Sequence, residues 1–279
     1  IGATDIGQGS DTVLAQIAAE ALGTTLDKII VYSSDSDLTP FDTGAYASST
    51  TYVSGNAVYK AAMDMRRAIV KEGALALGVK VEDIDYDGVV LKAGKKEMTL
   101  KELSNRLYYS EDQKQLMITN SYFGTKSPPP FMAGFVEIDV DTETGEIDII
   151  DYVSVVDCGT PINLALAKGQ VEGGIVQGIG MAVYEEVLST KKGQLITNDF
   201  LNYHIPTRRE INKLTTEFAE SYEESGPFGA KSVGEIGIDT PPAAIANAVY
   251  NAVGVRIKTL PITPEKILAG ILANKAKSK

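Results

Sequence analysis

The chain has one cysteine, one histidine and no tryptophan among its 279 residues. The single thiol, Cys158, excludes an internal disulfide and any zinc or iron–sulfur site that needs several thiolates from this polypeptide. His204 alone cannot build a multi-histidine metal site, and a serine-type triad would depend on that one residue. A redox centre, if there is one, is therefore an organic or pterin-type cofactor or lies on another polypeptide. Basic side chains are also scarce, with 26 Lys and Arg against 37 Asp and Glu and a net charge of −11. A surface this negative repels phosphate backbones and anionic lipid, so neither nucleic acid nor membrane is an expected partner. No apolar run approaches the ~20 residues of a membrane span. The first residues, Ile1-Gly2-Ala3-Thr4-Asp5, have neither an initiating methionine nor a basic n-region. They do not read as a secretory signal, a cytoplasmic location is expected, and the chain reads as a fragment or a processed subunit.

What is present suffices for a packed core, since 44% of residues are hydrophobic. Residues 1–6 read as a short strand leading into Gly7-Gln8-Gly9-Ser10, and a helix with apolar Val13, Leu14, Ile17, Ala18, Ala21 and Leu22 stops at Gly23. Residues 29–32, Ile-Ile-Val-Tyr, read as a buried strand. A polar loop over 33–51 is too long for a simple turn, and a second helix is expected over 54–77. Further on come a possible hairpin near 86–91 and a capping box at Thr99-Leu100-Lys101-Glu102. The stiff Pro128-Pro129-Pro130 is the candidate boundary between two possible lobes, 1–126 and 127–279, of one domain over 1–279. Residues 135–140 and 147–156 form a hairpin through Thr144-Gly145. Residues 168–187 are helical by period although they contain five glycines, which implies close backbone packing or approach to a ligand. A last helix starts at Pro241-Pro242. Strands and helices mix without a regular βαβ rhythm, so the expected class is α+β, mixed sheets with packed helices.

Glycine-bracketed polar clusters are the candidates for chemistry. Gly7-Gln8-Gly9-Ser10 precedes a helix whose N–H groups favour anionic oxygens, or it is a tight turn and nothing more. Thr43-Gly44-Ala45-Tyr46-Ala47-Ser48-Ser49-Thr50-Thr51 offers small residues and a run of hydroxyls to a polar ligand, or serves as a linker. Gln170 lies in a glycine-rich helix that could simply be well packed. Gly234-Glu235 places a carboxylate between glycines where burial would let it act as a general base, whereas a solvated loop glutamate is the plainer alternative. His204 and Cys158 read as structural, the cysteine buried and inert.

Together and in this order, the clusters resemble the C-terminal half of the molybdopterin-binding subunit of the xanthine dehydrogenase and aldehyde oxidase family. The pieces that match are Asp5-Ile6-Gly7-Gln8-Gly9 with Thr12, and Ala47-Ser48-Ser49-Thr50 with Gly55-Asn56-Ala57. They continue through Asp157-Cys158-Gly159 with Pro161-Ile162-Asn163, Gly169-Gln170-Val171-Glu172-Gly173 with Gln177-Gly178, and Gly234-Glu235 ahead of Pro241-Pro242-Ala243. The resemblance implies a molybdopterin-type molybdenum cofactor. It assigns Gln8, Gly9, Ala47, Ser48, Ser49, Thr50, Gln170 and Gly234 to that cofactor, Glu235 to the catalytic base and Tyr46 to the substrate side, where many relatives have a smaller residue. It further implies water-derived hydroxylation of an electron-poor carbon in an N-heterocycle or aldehyde. The implied partners are a second molybdopterin-binding half, a subunit with 2Fe-2S clusters and a subunit with FAD, as in split nicotinate-dehydrogenase-like enzymes, and the chain alone should be inactive. Two rivals remain at this point: a non-catalytic molybdopterin carrier or assembly protein, and a nucleotide-binding protein that uses residues 7–10 as a phosphate cradle with Asp35 on the ribose.

Overall fold

The computed structural model describes residues 1–277. The chain forms two compact units, Ile1–Pro128 with Tyr222–Lys231, and Pro129–Ser221 with Ser232–Lys279. Residues 222–231 thus return to the first unit, a return that one cut at the triple proline does not include.

In the first unit, α1 (Ser10–Leu22) and α2 (Thr50–Leu77) pack together. Both end in left-handed glycines, Gly23 and Gly78, whose N–H groups bond back into the last turn. Gly55 lets the helices approach: a Cβ there would sit 3.0 Å from the Ile17 side chain and 3.8 Å from that of Leu14. Further along, the Arg66 guanidinium on α2 donates to the carbonyl of Leu22 at the end of α1, at 3.0 Å. Contacts at 14–17 with 55 and at 22 with 66 mean that the helices run parallel. At 1.5 Å rise per residue, the Gly55 crossing lies roughly 6–10 Å from either helix start. The two N-termini are therefore level, at one end of the unit.

A meander of β1 (Asp85–Tyr86), β2 (Val90–Ala93) and β3 (Lys96–Thr99) follows, then α3 (Leu100–Tyr109). The capping box expected at α3 is complete: Thr99 accepts from the Glu102 N–H, and Glu102 accepts from the Thr99 N–H at 2.8 Å. Arg66 also donates to the Tyr86 carbonyl at 2.7 Å, tying the meander to both helices.

Two expected strands are not formed. Residues 1–6 and 29–32 belong to no strand. The second segment is not buried either, since Ile30 is 95% exposed and Tyr32 is exposed. An extended backbone becomes a strand only when a neighbour takes up its N–H and C=O groups, and none among the described residues flanks 29–32 in that way.

The second unit is a mixed three-stranded sheet, β4 (Phe131–Val140), β5 (Ile147–Asp157) and β6 (Lys213–Phe218), in that order. β4 pairs with β5 antiparallel, and β5 with β6 parallel. Tyr152, Val156 and Ile149 point inward against Val171, Ile175 and Ile179 of α4 (Leu164–Ile179) and against Ile245 and Val249 of α6 (Pro241–Val253). α4 opens four residues earlier than the glycine-rich pattern suggests, because Asn163 caps it by accepting from the Leu166 N–H at 3.0 Å. It then passes into a wider helical turn over Gly180–Tyr184. A short turn, α5 (Ile236–Asp239), and α7 (Pro264–Lys277) complete the unit. The fold is α+β with mixed strand directions, as the sequence leads one to expect.

Candidate functional site

The level ends of α1 and α2 carry two of the polar clusters, and they are built differently. At α1 the glycine loop folds around Asp5. Its carboxylate accepts from the N–H groups of Gly7 at 2.9 Å, Gly9 at 3.2 Å and Asp11 at 3.2 Å. Gly7 and Gly9 have φ of 99° and 82°, a region glycine enters at no steric cost, and that conformation turns their N–H groups inward. The Gly7 N–H is the chief reason the Asp5 carboxyl titrates below the usual carboxylate range. Gln8 folds onto the same loop, accepting from the Ile6 N–H at 2.6 Å and donating to the Thr4 carbonyl at 3.1 Å. The anion place at α1 is therefore filled by the chain's own carboxylate. This overturns the nucleotide-cradle reading of residues 7–10, for which a strand and a parallel crossover are missing as well. Asp35 does not serve a ribose either: it accepts from the Tyr32 hydroxyl and from the Asp37 N–H at 2.9 Å.

At α2 no side chain caps the helix. The approach is strained: Ala47 and Ser48 both have positive φ, 52° and 53°, which costs a non-glycine residue roughly 1–2 kcal/mol each. Asp42 holds the preceding turn by accepting from the Gly44 N–H at 2.8 Å and the Ser54 hydroxyl at 3.0 Å. Ser48 and Ser49 are half-buried, Thr50 is buried, and Tyr46 and Ala47 are exposed. A 28-residue helix thus starts from a kinked, hydroxyl-rich turn with no side-chain cap, the Asp42 carboxylate beside it being engaged by the Gly44 N–H and the Ser54 hydroxyl. Sequence reasoning missed Asp5 as the feature that separates the two ends. The signal was there, since an aspartate two residues before a glycine is an Asx-turn pattern.

In the second unit, α4 and the segment with Glu235 meet backbone to backbone. A Cβ on Gly174 would lie 3.0 Å from the Gly237 Cα, and one on Gly237 would lie 2.6 Å from the Val171 carbonyl oxygen. A Cβ on Gly178 would strike the Ile238 carbonyl at 2.8 Å. Gln170 is half-buried one residue before this crossing, and Gly234 and Glu235 stand just before its other side. Gly169 and Gly173 differ from the packing glycines, because an added Cβ there meets nothing within 4 Å. Of the two explanations for the glycines, packing accounts for Gly174 and Gly178, and open space remains beside Gly169 and Gly173. Glu235 is exposed rather than buried, and its carbonyl accepts from the Ile238 N–H at 3.2 Å.

The remaining candidates are structural. Cys158 is buried at a strand end. His204 rests against the Tyr184 ring at 5.3 Å between centroids and lies 3.8 Å from a Glu210 oxygen. No group of three His, Cys, Asp or Glu able to hold a metal ion exists among the described residues. Nor is any described helix long and apolar enough to cross a membrane.

The chain belongs to the molybdopterin cofactor-binding domain family, whose family model matches residues 1–212. It is 38% identical, over 97% of its length, to the xanthine dehydrogenase molybdenum-binding subunit of Escherichia coli O157:H7, and covers 38% of that subunit. It superposes on reconstituted CO dehydrogenase from Oligotropha carboxidovorans with a TM-score of 0.88 at 27% identity, covering 99% of this chain and 35% of that one. Quinoline 2-oxidoreductase from Pseudomonas putida 86 superposes with a TM-score of 0.84 at 29% identity, over 96% and 36% of the two chains. The chain spans about a third of the length of the relatives it matches.

The donor set suits the family's cofactor. An uncapped helix start beside Ser48, Ser49 and Thr50 suits its anionic phosphate, and Gln170 beside the open Gly169 and Gly173 suits a planar group rich in donors and acceptors.

Proposed function

We propose that this chain is the cofactor-holding, base-bearing part of a molybdenum hydroxylase. The overall reaction is RH + H2O → ROH + 2 H+ + 2 e−, with RH an N-heterocycle or an aldehyde. The electrons leave to 2Fe-2S clusters and FAD on partner subunits, and a further molybdopterin-binding half completes the site. When bound, the molybdenum cofactor supplies Lewis acidity and a two-electron acceptor.

The chain's own residues divide the work. The start of α2 with Ser48, Ser49 and Thr50 holds the phosphate, Gln170 hydrogen-bonds the pterin, and Gly9 and Gly234 let backbone approach it. Gln8 orients the loop at the level end of α1, its side chain already engaged with its own backbone. Glu235 accepts the proton of the attacking oxygen, and Tyr46 bounds the substrate space. The observation that carries the reading is the pair of level helix ends, of which that of α1 has the Asp5 carboxylate on its backbone N–H groups and that of α2 has no side-chain cap.

Replacing Glu235 with Gln in the assembled enzyme keeps the side chain's size and removes its basicity. Turnover should fall by about 10²–10⁴ with molybdenum and pterin content unchanged. A rate within tenfold of the parent sinks the assignment of the base.

A further inference from the structure

Tyr52, Gly55, Asn56 and Tyr59 of α2 stand at positions i, i+3, i+4 and i+7 and so share one face of the helix. That face grips residues 223–230 of the same unit. The buried Asn56 side-chain amide donates to the Tyr52 carbonyl at 2.8 Å and to the Ser225 carbonyl at 3.0 Å. The second bond joins residues 169 apart in sequence. Around it, the Tyr52 hydroxyl lies 2.7 Å from the Ser225 Oγ, and the Tyr59 ring meets Phe228 edge to face at 5.0 Å between centroids. A Cβ on Gly55 would lie 3.1 Å from the Pro227 side chain.

The loop so held is tight. The Glu223 carboxylate accepts from the Ser225 N–H at 3.0 Å and from the Ser225 hydroxyl, and the Glu223 N–H donates to the Gly229 carbonyl at 3.0 Å. Phe228 has φ of 52°, a conformation that a non-glycine residue keeps only when its surroundings impose it. α2 supplies part of those surroundings through Tyr59. Lys231 ends this return to the first unit, and Glu235 follows four residues later. Asn56 itself lies six residues into α2, roughly 9 Å from the helix start at 1.5 Å per residue.

We propose that Asn56 is a positioning residue for Glu235: by holding the Ser225 carbonyl it fixes the loop of residues 223–230, and with it the point from which the main chain runs on to the base. The inference rests on the reading of Glu235 as the proton acceptor. On that reading one helix carries the phosphate at its start and the anchor of the base less than two turns further on. A catalytic group displaced by about 1 Å loses about 10²-fold in rate, which sets the scale of the effect.

Asn56→Ala removes the donor, and its consequences are read in the assembled enzyme. Hydrogen exchange at residues 223–231 should rise at least about tenfold. Turnover at saturating substrate should fall about 10–100-fold, with KM within about twofold of the parent and molybdenum and pterin content unchanged. The decisive comparison is the double variant with Glu235→Gln. If Asn56 acts through the base, its loss costs little once the base is gone, so the double variant should turn over within about threefold of Glu235→Gln alone. Losses that multiply in full overturn the proposal. So does unchanged exchange at 223–231, raised exchange with turnover within about twofold of the parent, or a fall in turnover matched by a fall in cofactor content. Should Asn56→Ala fail to assemble, Pro227→Gly loosens the same loop without altering α2 and is held to the same outcomes. Glu235→Gln alone judges the base. Turnover near the parent's in that variant defeats the reading of Glu235, whereas a large fall there combined with multiplying losses defeats only the role of Asn56.

Discussion

The starts of α1 and α2 sit level, point the same way and share a glycine-bracketed, polar approach, yet one is closed and the other open. At α1 the Asp5 carboxylate takes three backbone N–H groups. At α2 no side chain caps the helix, and Ala47 and Ser48 hold strained backbone. The difference shows how a fold can use one device, the positive end of a helix, for two purposes. With an internal carboxylate the end becomes a structural latch. Without a carboxylate on its N–H groups, and with strain maintained by its surroundings, it is in our proposal the place for a ligand's anion.

The sharpest way to break this contrast is to make α2 resemble α1. Ser49→Asp puts a carboxylate at the start of α2, where it competes with and repels a phosphate. The molybdenum and pterin content of the purified enzyme should drop about tenfold or more, with Ser49→Ala losing much less. If Ser49→Asp loads normally, the open end of α2 does not hold the cofactor.

A smaller effect should follow from opening α1. Asp5→Ala leaves three N–H groups without their charged acceptor and should cost about 1–3 kcal/mol in urea unfolding at pH 7. The pH dependence has a definite sign. Asp5 has its pKa lowered in the folded chain, chiefly by the Gly7 N–H. Its contribution is therefore fully present above the unfolded value of about 3.9 and is lost as the pH falls through the lower folded value. The stability gap between parent and Asp5→Ala should close over that acidic range. A gap that does not narrow as the pH falls below the unfolded value would mean that the carboxylate is not the latch.

The smallest expected change is at Ala47. Ala47→Gly removes a positive-φ penalty and should raise the stability of the isolated chain by up to about 1 kcal/mol, measured by thermal or urea unfolding. Destabilisation instead would show that the Ala47 methyl packs productively and that the turn is not strained.

Sequence made the long elements legible because their signals are local. The α3 capping box, the turn at Thr144-Gly145 and the period of α2 each need only a few neighbouring residues. Both level helix starts were also marked by their glycines and hydroxyls. Their parallel alignment was not, because it depends on Gly55 meeting Ile17 and Arg66 reaching Leu22, contacts 38 and 44 residues apart. The role of Asp5 was missed because three N–H groups converge on it only after the glycines turn. The composition of residues 29–32 suggests a buried strand, but composition does not report whether a neighbour takes up the backbone N–H and C=O groups, and none among the described residues does. The exposure of Glu235 was out of reach for a similar reason, since its flanking glycines show that backbone comes close and not what covers the carboxylate.

The crossing of Gly174 with Gly237 has one more effect. Glu235 stands on a seat whose height is fixed by two main chains in contact, with no side chain between them to change rotamer. If Glu235 is the proton acceptor we propose, side chains around it can be exchanged one after another, as selection for new molecules would require, without lifting it out of reach. A rigid floor of this kind separates what the machinery does from what it accepts.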